Sequence, residues 1–295
     1  MLNKAPEQFR ETEYFSQFFK LLRKDAMALT SVYLFILLLV LILLGHLIAP
    51  YDTNKEFIGL ELLPPSWYNG GEIAHFMGTD DLGRDIFSRI LHGFYYTAGS
   101  ALLVSLAVGI LGGIIGIFAV TRKSQSVFLL SHLFDTFLVT PILLIAIIIA
   151  TLLESSLINA CLAIFLAMLP HFIHKLYQTA QHELEREYVV TLKLDGAKRW
   201  DLIKDVILPN LTITVIKELS HIFVIAILDI SALSFISLGA KSPTPEWGAM
   251  IRDSFELIYI APWTVILPGL AITFVIFIIT MLGNGLVRVL RKYRY

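Results

Sequence analysis

Residues 192–210 read LKLDGAKRWDLIKDVILPN, a stretch dense in charge lodged between two long apolar runs. The residues leading into it, HELEREYVVTLKLD (182–195), place acids at the start of a run of helix formers, where the helix dipole favours them. Gly196 then stands where a helix takes a left-handed residue at its C-terminus. Beyond it Trp200, Ile203, Val206 and Ile207 recur at helical spacing, and Pro209 is expected to stop the pattern. The expectation is a helix, a glycine bend and a second helix, charged on the outside, with an apolar stripe turned to the rest of the chain. Such an element is either a solvated hairpin or a rigid knob on which a partner docks, and spacing alone leaves both open.

The composition around it is that of a membrane protein. Of 295 residues, 56% are hydrophobic and 16% charged, with mean hydropathy +0.73. Soluble domains average about 45–50% apolar and about 25% charged. A span needs about 20 apolar residues, and six runs qualify: Ala28–Ala49, Thr97–Val120, Val127–Leu152, Leu157–Leu176, Leu211–Ser237 and Thr264–Val287. The first is read as an uncleaved anchor, because its preceding segment is too long and mixed in charge for a signal peptide and no small-x-small site follows. The expected fold is therefore an all-α membrane protein. Its parts are a tail over 1–27, a first span over 28–49, a loop over 50–96, a five-span core over 97–287 that contains the stretch 183–210, and a basic end over 288–295.

Lysine and arginine fix the expected orientation. Five lie in the N-terminal tail, two between the second and third spans, six between the fourth and fifth, and four after the sixth. The opposite side holds Lys55, Arg84, Arg89, Lys241 and Arg252. Seventeen against five places both termini, and residues 183–210, in the cytoplasm of a multi-pass inner-membrane protein. The outer loops, rich in proline and carrying Trp67, Trp247 and Trp263, are expected to be ordered at the bilayer interface.

Several side chains invite a functional reading, each with a plainer one beside it. GILGGIIG contains the pairs Gly109/Gly113 and Gly112/Gly116, the small-residue spacing that lets helices approach closely. Asp229, inside FVIAILDISALSF, either lines a path for a cationic substrate or is hydrogen-bonded to Ser231 or another helix. Asp135, before a kink expected at Pro141, reads as structural. GTDDLGRD (78–85) lacks the EF-hand order of acids and reads as a turn and helix cap. His171 and His174 read as polar anchors at a span end, Cys161 as an inert thiol, and no metal site is expected. There is no GxxxxGK[ST] loop, Gly-x-Ser-x-Gly or His-Glu-x-x-His, so an enzyme is not expected. A net charge near −1 argues against nucleic acid. A permease half, a self-sufficient secondary transporter or channel for small cations such as polyamines, and a membrane hydrolase are the classes left to compare.

The stretch also carries a resemblance. Gly196, nine residues, then Val206-Ile207-Leu208-Pro209 resembles the EAA loop of importer-type ABC permeases, with Val190, Thr191 and Leu192 in place of Glu-Ala-Ala. HFMGTDDLGRDIFSRILHG, LSFISLGAKSPTPEWGAMI and APWTVILPGLAI resemble the dipeptide, oligopeptide and nickel permeases. LGNGLVRVL is similar to their C-terminal motif, with Asn284 replacing an aspartate. The resemblance implies a type I importer permease fold and peptide import, cationic antimicrobial peptides included. It implies a coupling loop through Tyr188, Leu192, Asp195, Gly196, Ala197, Trp200, Leu208 and Pro209, seated on a cytoplasmic ATPase. It further implies a second, homologous permease chain, two ATPase subunits, an external substrate-binding protein, surrounding lipid, and no cofactor on this chain.

Overall fold

A computed structural model describes residues 17–121, 139–197 and 199–294. The helices are α1 (Ala26–Ile48), α2 (Ile86–Gly93), α3 (Ser100–Thr121), α4 (Ile142–Thr151), α5 (Leu157–Leu184), α6 (Glu187–Leu194), α7 (Arg199–Leu202), α8 (Leu208–Phe235), α9 (Trp247–Ser254) and α10 (Trp263–Arg294). Five apolar helical stretches among the described residues are long enough to cross a bilayer: 26–48, 86–120, 157–184, 208–235 and 263–292. The short apolar α4 belongs to the expected third span, whose beginning, with Asp135, lies outside the described residues. Pro141 caps α4 with an extended ψ of 132°, because a proline ring fits before a helix and clashes within one; the kink expected there turns on preceding residues that lie outside the described ones.

The spans run longer than the apolar runs suggested. Hydropathy sees only what needs lipid, whereas a helix continues wherever its hydrogen bonds do. The second span starts at Ile86 instead of Thr97, and α2 passes into α3 through a single π-turn, Phe94–Gly99. The fourth runs to Leu184 and the sixth to Arg294. His171 and His174 therefore lie well inside α5 and not at a span end.

Helix α5 packs along α3, and α8 fills the space beside both while touching α10. The glycines of α3 set these approaches. A Cβ at Gly112 would stand 2.6 Å from Phe172 Cδ1 and one at Gly116 would stand 3.4 Å from Leu176, both on α5. Gly109 faces Leu219 of α8, and Gly113 meets nothing within 4 Å among the described residues. The pair Gly112/Gly116 thus forms a helix-packing stripe, as the spacing suggested. The pair Gly109/Gly113 does not, because only Gly109 points at a neighbour.

Two opposite ends of the bundle matter below. At one end Asp25 accepts a hydrogen bond from the Ala28 amide and lies 3.5 Å from both Arg288 and Lys292, so the start of α1 and the end of α10 meet there. Accepting that amide bond holds the Asp25 carboxyl below the usual carboxylate range. At the other end residues 50–85 and α9 form a lid. Asp80 Oδ1 accepts from the Leu82 and Arg84 amides, and Asp85 caps α2 through the Ser88 amide at 2.8 Å, so GTDDLGRD is a turn and a cap. Trp67 and Trp263 are in reach of solvent at this end. Trp247 is not: it is fully buried, stacked edge-on against Phe94 at 5.0 Å, and its indole N–H donates to the Ile90 carbonyl. Its ring fills the space left by Gly93, whose absent Cβ would stand 2.0 Å from Trp247 Nε1. An indole whose N–H is satisfied internally gains more from burial than from the interface.

Candidate functional site

The stretch at 192–210 folds around Gly196. Asp195 caps α6, Gly196 has φ +88°, its amide donates to the Lys193 carbonyl at 3.2 Å, and the Ala197 amide donates to the Leu192 carbonyl at 3.0 Å. This pair of bonds is the Schellman ending, which satisfies carbonyls that a helix C-terminus leaves orphaned. The bend carries Leu192, Asp195, Gly196 and Trp200 into the open, with Ala197 half-buried.

Three expectations for this element need correction. The helix before the bend is not continuous from Glu183. It breaks at Arg186, whose ψ of 141° is extended, so α6 starts anew and Glu187 falls in its first turn. Trp200 does not belong to the buried stripe: it is 62% exposed, while Leu202, Ile203 and Ile207 are buried. A π-turn over Ile203–Ile207 adds a residue to one turn and moves the stripe off strict 3.6 spacing. Pro209 does not stop the helix either. It sits in the first turn of α8, where a missing N–H costs nothing.

A buried carboxylate, which sequence reasoning passed over, holds the element to both flanking spans. Glu183, 6% exposed near the end of α5, accepts the Tyr188 hydroxyl from α6 and the Asn210 side-chain amide from α8 at 2.6 Å. Its second oxygen lies 3.1 Å from Arg186. Burial, and then the bond to Glu183, push the Tyr188 phenol above its usual pKa. Val189, fully buried, seats the other side of α6. Its neighbours Gln181, His182, Glu185, Arg186 and Glu187 are polar or charged, so nothing in the local sequence marks it as buried; only the packing of α6 and α8 does, and an acid so enclosed must be paired.

The opposite end has its own buried hub, Glu246, which caps α9 by accepting from the Ala249 amide at 2.8 Å. It also accepts from Thr97, in the π-turn of the second span, and from Ser231 on α8. Burial pushes its carboxyl above the usual range, against these hydrogen bonds. Ser231 is thus engaged by Glu246 and not by Asp229. Asp229 is 7% exposed, and its Oδ2 has no hydrogen-bond partner among the described residues.

Between the two ends lies a cavity of about 610 Å³. Helix α5 lends it His171, His174 and Lys175, α8 lends Lys217, Glu218 and His221, and α10 lends Asn284. Asp229 is not among the residues around it. The sequence reading named two of these histidines without bringing them together with the others, because residues 171 and 221 meet only through the packing of α5 on α8. Among the described residues no group of His, Cys, Asp and Glu has the arrangement of a metal site.

Comparison with known proteins matches residues 108–293 to the binding-protein-dependent transport system inner membrane component, and residues 13–65 to the N-terminal transmembrane domain of oligopeptide transport permease C. The peptide transport system permease protein SapC of Haemophilus influenzae is 53% identical over 100% of both chains. The di/tripeptide transport system permease protein DppC of Pseudomonas aeruginosa is 38% identical over 86% of this chain and 84% of its own. Among solved structures, the inward-facing MetNI methionine ABC transporter superposes with a TM-score of 0.56 at 13% identity, over 68% of this chain and 96% of that one. That likeness is one of fold.

Proposed function

The chain belongs to the family of binding-protein-dependent transport system inner membrane components, and from that premise we propose how it works as the permease subunit of a peptide ABC transporter. It is a multi-pass inner-membrane protein that does no catalysis itself; ATP is hydrolysed by separate subunits, and substrate is delivered by a binding protein. The finer reading is that this chain pairs with a second, homologous permease and two ATPase subunits, without a cofactor of its own. Its cargo is peptide, cationic antimicrobial peptides among them.

The observation that carries this reading is the Gly196 element. A Schellman-terminated helix, clamped by Glu183 to both flanking spans, presents Leu192, Asp195 and Trp200 outward. A push on this knob moves α5 and α8 together, because one carboxylate holds both. We place it in the cytoplasm, with both termini, on the seventeen-to-five distribution of Lys and Arg. Nucleotide-driven closure of the ATPases would bring the knobs of the two permeases together and switch which end of the path is open. Asp229, with an unsatisfied oxygen inside the bundle, is the acid proposed to attract cationic cargo in a conformation that opens beside it. Affinity purification from membranes, followed by identification of the co-purifying chains, tests the assembly. Recovery of the chain without an ATPase or a second permease overturns it.

A further inference from the structure

The cavity between α5, α8 and α10 has a graded polar wall. His171 and His221 each lie fourteen residues from the lid-side end of their helices, Leu157 and Phe235. At 1.5 Å per residue that is about 21 Å, two-thirds of the way across a hydrocarbon core of about 30 Å. Four residues further along each helix, one turn nearer the Gly196 end, stand Lys175 and Lys217. A rung of imidazoles is thus followed by a rung of ammoniums.

Most of these side chains are not spent on the fold. The side chains of Lys175, Lys217, Glu218, His174 and His221 have no hydrogen-bond or ion-pair partner among the described residues. His171 Nδ1 lies 3.2 Å from the Ala167 carbonyl, which has no proton to give, so Nδ1 donates and Nε2 is left for the cavity. Two ammoniums face one carboxylate, so the site is cationic even with every imidazole neutral. Ionisable groups at this depth belong in a protein-lined path. Ile142, Met168, Phe172 and Ile225 make the rest of the wall apolar, and the volume is that of a small-molecule pocket.

We propose that this cavity is a carboxylate site, which takes the free C-terminal carboxylate of a peptide in transit while the apolar wall receives its side chains. The proposal rests on the peptide-permease reading. It differs from an attraction for cationic cargo in general, because every unmodified linear peptide carries this carboxylate whatever its side chains. A phospholipid phosphate is a second source of anionic oxygen: the lysine rung, eighteen residues from the lid-side helix ends, stands about 27 Å along and so near the far edge of the core, and the phosphate arm of the test below separates the two sources.

The test uses the complete transporter, with its binding protein, in vesicles. Uptake of tri-alanine is compared with uptake of tri-alanine amide, of equal length. The wild type should prefer the acid, Lys217→Gln should reduce that preference by roughly tenfold through the loss of one charge-assisted contact, and Lys217→Arg should restore it. The comparison removes any preference held by the binding protein, which is the same for all variants. Unchanged preference in Lys217→Gln, with the complex assembled, overturns the proposal. A second readout needs no transport: alkylation of Asn284→Cys, in a Cys161→Ser background, should be slowed by tri-alanine and not by its amide. Equal slowing by both, or as much by inorganic phosphate, overturns the carboxylate assignment. Uptake of neither peptide, with acid-selective protection intact, refutes peptide import and leaves the site standing.

Discussion

Gly196 offers a perturbation whose cost can be worked from backbone geometry alone. Its φ of +88° is a conformation that L side chains rarely adopt, and a Cβ placed there would meet nothing within 4 Å among the described residues. Substitution therefore adds no clash within this chain, and the penalty is purely conformational. Holding a non-glycine residue in the left-handed region costs about 1–2 kcal/mol, less for asparagine and more for a β-branched side chain. Each 1.4 kcal/mol is about tenfold in population, so Gly196→Ala should reduce the properly bent element by about five- to thirtyfold relative to alternative bends. Gly196→Asn should lose less, and Gly196→Val should lose more than alanine. Clamping by Glu183 and Val189 should keep α6 attached, so membrane insertion is expected to be unaffected. The assay is peptide-stimulated ATP hydrolysis by the purified complex in nanodiscs, for all three variants. Stimulation should fall in the order Gly, Asn, Ala, Val. Wild-type stimulation in Gly196→Val would refute the idea that the bend transmits force. Equal loss in all three would show instead that a docked partner excludes any side chain at this position.

Four further outcomes are expected. A thiol at Asn69, on the lid, should react with an impermeant reagent in intact cells while one at Trp200 should not, both in a Cys161→Ser background; the reverse pattern overturns the orientation. Glu246→Ala strands Thr97, Ser231 and the Ala249 amide, at about 1–3 kcal/mol for each buried group left unpaired, and should lower the thermal unfolding midpoint well below that of Glu246→Gln. Glu183→Gln should loosen the Gly196 element without lowering global stability to the same degree, read as faster proteolysis between Arg186 and Lys204. Asp229→Asn should reduce uptake of strongly cationic peptides more than that of neutral ones of matched length; equal rates would leave Asp229 as a helix-packing group.

How far the sequence could be read depends on the range of the interaction that decides each feature. The spans rest on local hydropathy and were legible to within a few residues, except where helices ran on past the lipid, as α2 and the end of α5 do. The Gly196 bend was legible because one residue sets it: only glycine accepts φ +88° without strain, and the Schellman bonds close within six residues. Trp200 was misread because a π-turn shifts register, of which sequence periodicity carries no mark, and Pro209 because a proline suits the first turn of a helix as well as the end of one. Trp247 was misread because a tryptophan near a span end is equally suited to lipid headgroups or to a slot opposite a glycine. Only the approach of Gly93, more than a hundred and fifty residues earlier, decides between them.

The cavity lies furthest from what a linear reading can reach. His171 and Lys175 are an ordinary i, i+4 pair on one helix, and Lys217 and His221 another, each unremarkable alone. They become two rungs of one wall because Gly112 and Gly116 let α3 lie close along α5 while Gly109 admits Leu219 of α8. The glycines that read as packing residues are thus what set the two charged faces side by side. Widening that contact is a more exacting test of the site than removing any of its charges. Gly109→Ala would drive a Cβ to 2.6 Å from Leu219, two residues from Lys217 and from His221. The flexible leucine end can yield, so assembly should survive, but α8 should rotate or shift enough to blunt the preference for a free carboxylate. If that preference is untouched while Lys217→Gln abolishes it, the two helix faces recognise cargo independently and their juxtaposition is incidental.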